Sequence, residues 1–494
     1  MPAALGSRFG RTLFLLGAWS SLIVALSILP AMVALAHGDQ SIFLSFVTTG
    51  GIAAFLSMIL VFGFQGLKRR RNLTNLVMLP FLGFILLAFL GGLPRYFHAG
   101  EAQQISMILF EGMSGISTSG VSAYSDDGSG GLIAFRIWQA LLSWIGAFGT
   151  VVLAVTIANH VNAGGLKLHR SPVHNATVDQ GHSRLSVVAK QLLPVYTAVT
   201  LVFLVSFAIS TGSFTSAIVL ALGSISTAGI LPAGEAGLAG GWTQMIALVG
   251  MVFGALNLDY HYAFLMGRKD VYKNGEETRA FFSTVIGSGV LLFVLGLIYA
   301  GAIDNSWEML WQGIFMAVSA ISTTGWAPIG ADVWLPPEGM LFILVVLASI
   351  GGAATSASGG LKLLRILILL RHGARELARL AHPHGIAKVR YAGAVVGEKD
   401  LHAVWLTMGA FVLTLMVGVM LLAVQGNDFQ LSYLLGLTAL TTASPLMNLA
   451  PEGLFGGYHT LSAADHNILS MLMLLGRLEL SLFLALLTRG FWRN

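Results

Sequence analysis

Ile116-Ser117-Thr118-Ser119-Gly120 returns three times further along the chain, as Ile225-Ser226-Thr227-Ala228-Gly229, Ile321-Ser322-Thr323-Thr324-Gly325 and Leu440-Thr441-Thr442-Ala443-Ser444. Each copy carries a hydroxyl pair, then a small or hydroxyl residue, then Gly, replaced by Ser in the fourth. The threonines stand 109, 96 and 119 residues apart. Every string follows a short apolar stretch (102–116, 213–226, 306–321 and 428–441), and every short stretch lies between two longer ones. Self-similarity at such a spacing marks one supersecondary unit repeated. Small polar residues alone would equally serve helix contacts in a membrane. Their recurrence at one place in four units is the stronger signal.

The longer stretches read as membrane spans, each near the 20 apolar residues that a crossing helix needs. Ten qualify: 12–36, 42–66, 74–93, 132–160, 187–210, 241–266, 280–303, 338–370, 401–424 and 462–490. Composition agrees. Of 494 residues, 55% are apolar and only 10% charged, with a mean hydropathy of +0.79. Soluble domains carry about 25% charged residues, so a soluble fold, a coiled coil, a disordered chain and a basic nucleic-acid binder are excluded. There is no cysteine, which excludes disulfides, thiol nucleophiles and Cys-ligated metal. The first span has one other reading, a cleaved signal peptide ending at Ala34-Leu35-Ala36. Its apolar run is longer than a signal core, so a retained helix is expected.

Charge orients the spans. Arg8 and Arg11, the run Lys68 to Arg71, Lys167 to Lys190, Arg268 to Arg279, Lys362 to Lys399, and Arg489 and Arg493 place 24 of the 27 basic residues on one side of a ten-span chain. By the positive-inside rule that side is cytoplasmic, and with it both termini. Acids including Asp39, Glu101, Glu111, Glu308, Asp428 and Asp465 fall on the other side, where Arg95 and Arg136 are the basic residues. Such a vestibule would concentrate cations; equally, the acids are what remains once the basic residues are drawn inward.

The units have a direct physical reading. Non-helical backbone at membrane depth survives only where protein buries it or it lines a watery cavity. A short helix entering from outside aims its partly negative C-terminus at the membrane centre. The string after it can turn carbonyls inward, with Gly allowing close approach. Four such strings around one axis make a ring of oxygens able to replace the hydration shell of a monovalent cation. The expected fold is all-α and membrane-integral: four pseudo-symmetric helix–pore-helix–helix repeats around one pore, after an N-terminal helix pair. The expected boundaries are 1–72 for the pair and 73–186, 187–279, 280–400 and 401–494 for the repeats. The ring residues are Thr118, Ser119, Gly120, Thr227, Ala228, Gly229, Thr323, Thr324, Gly325, Thr442, Ala443 and Ser444.

At these residues the chain resembles the TrkH/KtrB superfamily of potassium transport proteins. Asn257 to His261 with Gly267-Arg268 looks like that family's Asn-x-x-x-His segment. Ser358-Gly359-Gly360-Leu361-Lys362 looks like its Gly-Gly-Leu-Lys string, and Arg375-Glu376-Leu377 with His382-Pro383 like the stretch after it. Gly476-Arg477-Leu478-Glu479 and the ending Phe491-Trp492-Arg493-Asn494 look like its C-terminus. The resemblance implies potassium transport in the cytoplasmic membrane of a bacterium, a homodimer with one pore per subunit, and a cytoplasmic nucleotide-binding ring resembling TrkA. Any nucleotide would bind that partner, since this chain has no Gly-rich fingerprint after a strand; no cofactor of its own is expected. The resemblance also implies that residues 351–360, with Gly351, Gly352, Ser358, Gly359 and Gly360, form an intramembrane gating loop below the filter. A continuous, tightly packed helix is the alternative. It implies further that Arg477 faces the pore as an electrostatic barrier; a salt bridge to Glu479 or another acid is the alternative.

Three departures stand out. Ser444 replaces Gly, and Pro445 after it pushes Ser444 toward extended geometry, which predicts a lopsided ring of weaker selectivity. Ala353, Ala354 and Ala357 thin the glycines of the loop, and Asp259 puts an acid inside the Asn-x-x-x-His segment. Asp259 and His261 form either a proton relay or a structural hydrogen-bonded pair. His382 and His384 read as loop residues, and the basic run from Arg365 to Arg390 suits anionic lipid or an acidic partner surface alike. Two rival functions remain: a Na⁺- or H⁺-coupled or weakly selective K⁺/Na⁺ transporter, and a polytopic membrane enzyme. The enzyme would need nucleophiles, acids or metal ligands clustered at one depth, which the spans do not offer.

Overall fold

A computed structural model describes residues 2–65, 73–100, 105–124, 132–157, 181–232, 238, 240–300, 306–328, 338–382, 388–451, 453 and 454–478. The basic run 68–71, Lys167, Arg170, Glu101, Asp126, Asp127, Glu235, Asp304, Asp332, His384, Glu452, Glu479 and the C-terminal Phe491 to Asn494 lie outside these residues.

Helices α1 (Pro2–Ala36) and α2 (Gln40–Phe64) pair as an antiparallel hairpin against the first repeat. Then come four units. The first is α3 (Leu73–Ala99), short α4 (Ile105–Ile116) and α5 (Leu132–Ile157). The second is α6 (Gly181–Thr211), short α7 (Phe214–Ser226) and α8 (Gly241–Ala255), continued by α9 (Leu258–Leu265) and a single turn, α10 (Asp270–Asn274). The third is α11 (Glu276–Ala300), short α12 (Ser306–Ile321) and α13 (Glu338–Ile350), then α14 (Leu363–Ala381) and a small antiparallel hairpin, β1 (Arg390–Tyr391) with β2 (Ala394–Val395). The fourth is α15 (Glu398–Val424), short α16 (Phe429–Leu440) and α17 (Ala463–Arg477).

The packing closes these units into a ring. The outgoing helix of each repeat lies against the short helix of the next: α5 on α7, α8 on α12, α13 on α16, and α17 back on α4. The short helices are therefore buried along most of their length, as their largely apolar sequences require, and Glu111 of α4 and Gln312 of α12 are buried with them. Glycine sets the approach of outgoing helix to short helix within a repeat. A Cβ on Gly146 would stand 1.8 Å from the Ile116 carbonyl, and one on Gly476 would stand 1.9 Å from the Leu440 carbonyl. On Gly254 it would stand 2.8 Å from the Ile225 carbonyl.

Among the described residues seven helices are long and apolar enough to cross a membrane, so this is an integral membrane protein. Two of the ten expected spans differ, and the tenth, 462–490, lies outside the described residues beyond Leu478. Span 241–266 is broken, with α8 and α9 meeting at 97°. Span 338–370 is not one helix either: residues 351–362 are irregular, and α14 beyond them continues to Ala381. Both breaks have one cause, developed below: the freed backbone groups of each segment bond the other. Lys362, counted above with the basic residues of the cytoplasmic side, and Arg365, read as the start of a run suited to lipid or an acidic partner, are buried at 9% and 3% exposure.

Gly146→Ala tests the packing. Backbone meets the new methyl, so α5 must shift, at about 1–3 kcal/mol. Thermal unfolding in detergent should fall by several degrees, while Gly149→Ala, with open space around it, should stay near the parent.

Candidate ion-conduction site

All four strings leave their short helices in the same way. Thr118, Thr227, Thr323 and Thr442 take positive φ values of 68°, 55°, 60° and 55°. The amide of each donates to the carbonyl three residues back (Gly115, Ser224, Ala320, Ala439) at 2.9–3.3 Å. The next amide donates five residues back (Ser114, Gly223, Ser319, Thr438) at 2.8–3.0 Å. This pair of bonds is a Schellman cap, whose left-handed residue is usually Gly. A β-branched residue there is strained. Yet these threonines are four of the six non-Gly residues with positive φ among those described. Strain repeated four times at equivalent positions points to a function that needs the threonine.

Two residues on, Gly120, Gly229 and Gly325 are left-handed again, at φ 68°, 65° and 77°. They also allow the strings to meet. A Cβ on Gly120 would fall 1.6 Å from the Ala228 carbonyl oxygen, and one on Gly229 would fall 1.9 Å from that of Thr324. On Gly325 it would fall 2.9 Å from Pro445 Cβ. First string thus touches second, second third, and third fourth. The ring closes through Tyr458, whose ring lies 5.7 Å from that of Phe110 on α4 and whose hydroxyl donates to the Ser444 carbonyl at 3.1 Å. Ser117, Thr118, Ser119, Ser226, Thr227, Ala228, Ser322, Thr323, Thr324, Thr441, Thr442, Ala443 and Ser444 are all fully buried.

The fourth string differs from the others, but not in the manner its sequence predicts. Ser444 is not extended. It opens a 3-10 turn, Ser444–Leu449. Proline overrides the expectation because its fixed φ and missing N–H suit the first turn of a helix, where the donor would be orphaned.

Beneath the ring lies the break 351–362. The Gly359 amide donates to Thr323 Oγ1 at 2.8 Å. A Cβ at Gly359 would stand 2.0 Å from the Thr441 carbonyl oxygen and 2.4 Å from Thr442 Oγ1, so only glycine fits there. The other three ring threonines, Thr118, Thr227 and Thr442, have Oγ1 atoms with no hydrogen-bond partner. Gly351 and Gly360 are left-handed, and Gly352 donates to Ser358 Oγ at 2.9 Å, folding the segment on itself.

The kinked second-repeat span holds this loop. Breaking the helix at Leu256 leaves the Gly254 and Ala255 carbonyls without helical partners; they accept the amides of Ala357 (3.0 Å) and Ala353 (2.9 Å). Asn257 Oδ1 accepts the Thr355 amide at 2.9 Å. The Thr355 hydroxyl, with one proton, lies 2.7 Å from Asp259 Oδ1 and 2.9 Å from Asn257 Oδ1. Asp259, the unexpected acid, is therefore a partner of the loop. His261 turns elsewhere, to the Phe253 carbonyl (3.0 Å) and the Tyr272 hydroxyl. The two residues bond in different directions, which fits structural roles rather than a relay between them. Arg477 Nη1 donates to the Ala357 carbonyl at 2.7 Å, while its Nε and Nη2, though buried, have no hydrogen-bond partner.

One residue of this site escapes sequence reasoning. Glu277 Oε2 accepts the Ala354 amide at 2.6 Å. The available signal was a pair of adjacent acids, Glu276 and Glu277, at the basic end of a span. His382 ends α14. Among the described residues no group of three His, Asp or Glu is placed to hold a metal ion.

Comparison with known proteins gives consistent results. The family described as TrkH, cation transport protein, is matched by residues 82–327 and 303–488. The Trk system potassium uptake protein TrkH of Vibrio parahaemolyticus is 28% identical, covering 99% of this chain and all of the relative. Its namesake in Escherichia coli K12 is 26% identical over 94% of this chain and 96% of the relative. A solved structure, the potassium transporter TrkH from Vibrio parahaemolyticus, superposes with a TM-score of 0.86 at 26% identity, covering 98% of this chain and 100% of that one.

Asn257→Ala removes the acceptor of the Thr355 amide. Hydrogen–deuterium exchange across 351–362 should quicken about fivefold, the value of one net hydrogen bond, with exchange in α4 unchanged.

Proposed function

This chain belongs to the TrkH family of cation transport proteins, and we propose that it conducts potassium ions through the ring of its four strings, obstructed from below by residues 351–362. The observation that carries this reading is the fourfold left-handed threonine, Thr118, Thr227, Thr323 and Thr442. A left-handed residue reverses the peptide plane, so carbonyls released from the helix turn toward the axis. Carbonyls of Thr118-Ser119-Gly120 and its counterparts replace the hydration shell of K⁺. The unpartnered hydroxyls of Thr118, Thr227 and Thr442 line the inner mouth of the ring. No bond is made or broken in this work, so the protein acts as a transporter and not as an enzyme.

The Gly359 contact with the third and fourth strings supports the obstruction, because it leaves the loop seated against the ring's own hydroxyls. Arg477 adds a positive charge under the ring, and charge buried in a membrane protein is costly enough to be functional by default. Opening requires the loop to move and the guanidinium to exchange the Ala357 carbonyl for other partners. The relatives are named as components of a Trk system. We extend this to a homodimer gated by a cytoplasmic nucleotide-binding ring, with this chain in the bacterial inner membrane and its basic loops and termini in the cytoplasm.

A second reading, a weakly selective K⁺/Na⁺ pathway, draws on the fourth string. Ser444 is in a 3-10 turn and its carbonyl already accepts the Tyr458 hydroxyl, so the outer layer of the ring has three equivalent ligands rather than four.

Flux into liposomes with purified protein separates these readings. K⁺ and Rb⁺ should pass at least tenfold faster than Na⁺ and Li⁺, a preference of about 1.4 kcal/mol, with no dependence on a proton gradient. Comparable Na⁺ flux favours the weakly selective pathway, and flux that follows the proton gradient favours a coupled carrier. Gly325→Ser, which forces a side chain against Pro445, should lower the K⁺/Na⁺ ratio about tenfold; an unchanged ratio contradicts the ring. Removing Thr355, Ser356 and Ala357 should raise partner-independent K⁺ flux, and parent-level flux in the folded variant contradicts the obstruction.

A further inference from the structure

The loop is tied to a second structure besides the ring. Glu277, one residue into α11, is 1% exposed and uses both carboxylate oxygens. Oε2 accepts the Ala354 amide of the loop at 2.6 Å, and Oε1 accepts the Tyr391 hydroxyl at 2.7 Å. Tyr391 belongs to β1, so one carboxylate spans loop and hairpin. Apolar packing follows the same path: Ala354 shares a buried cluster with Leu364, Ile368, Tyr391, Leu401 and Val404, drawn from α14, the hairpin and α15. Arg371 of α14 locks the arrangement. It donates to Glu276 at 2.7 Å and to the Arg390 carbonyl at 2.7 Å, and its guanidinium lies 5.9 Å from the Tyr391 ring. The tip of the hairpin, Ala392 and Gly393, is exposed.

We propose that Glu277 is a positioning residue: it holds residues 351–362 beneath the four strings and couples them to the β1–β2 hairpin, so that displacing the hairpin frees the loop. This rests on the reading of that loop as the obstruction. A carboxylate bonded to an amide or a hydroxyl makes a charge-assisted bond, roughly twice as strong as a neutral one. Here it is the shared point of two such bonds. Burial, and then the charge of Glu277, push the Tyr391 hydroxyl well above the usual tyrosine range, so it remains a donor at physiological pH. The loop contributes a backbone amide. Substitution at Ala354 therefore leaves the bond in place, and the test falls on Glu277 and Tyr391.

Purified full-length protein in liposomes, without any partner, provides the test, read as K⁺ flux, K⁺/Na⁺ ratio and hydrogen–deuterium exchange of 351–362. Glu277→Ala should raise flux and loop exchange about tenfold without changing the ion ratio, which a distorted ring would alter. Tyr391→Phe, a mild change that keeps the ring packing, should raise both by less. The double variant should not exceed Glu277→Ala, because Tyr391 acts through the same carboxylate. Glu277→Gln keeps an acceptor for Ala354 and an amide for Tyr391, and should stay nearer the parent than Glu277→Ala does. The shortened-loop variant is the control. If it leaks while Glu277→Ala and Tyr391→Phe match the parent in flux and exchange, the coupling is overturned and the obstruction stands. If the shortened loop does not leak, the obstruction itself fails; exchange then decides the positioning role, and unchanged exchange in Glu277→Ala overturns it. Should Glu277→Ala not fold, Tyr391→Phe carries the same two outcomes.

Discussion

Everything in this molecule is arranged around the cost of an unsatisfied peptide group at membrane depth. Four short helices end there, and each would leave carbonyls orphaned. The Schellman bonds at Thr118, Thr227, Thr323 and Thr442 satisfy two of them in every repeat. They also force a left-handed residue at the point where the chain leaves each short helix. The same device that ends the helix therefore aims the string. Ring packing of outgoing helix on the next short helix follows from the need to bury those ends on all sides.

The second and third repeats solve the same problem jointly. A helix bent by 97° exposes carbonyls at Gly254 and Ala255, and a helix interrupted at 351–362 exposes amides. Neither break would be tolerable alone. Together the carbonyls of one accept the amides of the other, with Asn257 and Glu277 covering Thr355 and Ala354. A loop held by a handful of hydrogen bonds, rather than by a continuous helical ladder, is a segment that can leave its place at modest cost. That property is what an obstruction must have if it is to open.

Much of this was legible in the sequence. The fourfold string, the four short helices and their bounds came from periodicity and from a length too short to span; α4, α7, α12 and α16 lie within three residues of the expected stretches. What hydropathy could not show was the continuity of a helix. Residues 241–266 and 338–370 are apolar on average despite Asn257, Asp259, Lys362 and Arg365, and a window average is blind to a bend whose freed groups are met from another repeat. The Ser444 expectation failed for a local reason: the rule that a residue before proline is extended yields where the proline starts a 3-10 turn. Glu277 and Tyr391 are 114 residues apart, and nothing in a single sequence pairs them. Lys362 and Arg365 were assigned by side of the membrane, a rule about loops that does not see a basic residue folded back among loop carbonyls.

The central claim is that the four threonine-anchored strings together form one cation site. Crystals of the protein grown with Rb⁺ or Tl⁺ in place of K⁺, with anomalous scattering recorded at the matching absorption edge, locate bound ions without reference to any assay. The account predicts anomalous density on the axis between Thr118-Ser119-Gly120, Thr227-Ala228-Gly229, Thr323-Thr324-Gly325 and Thr442-Ala443, within carbonyl contact of all four strings. Density absent from that axis, or held by one repeat alone, would contradict it.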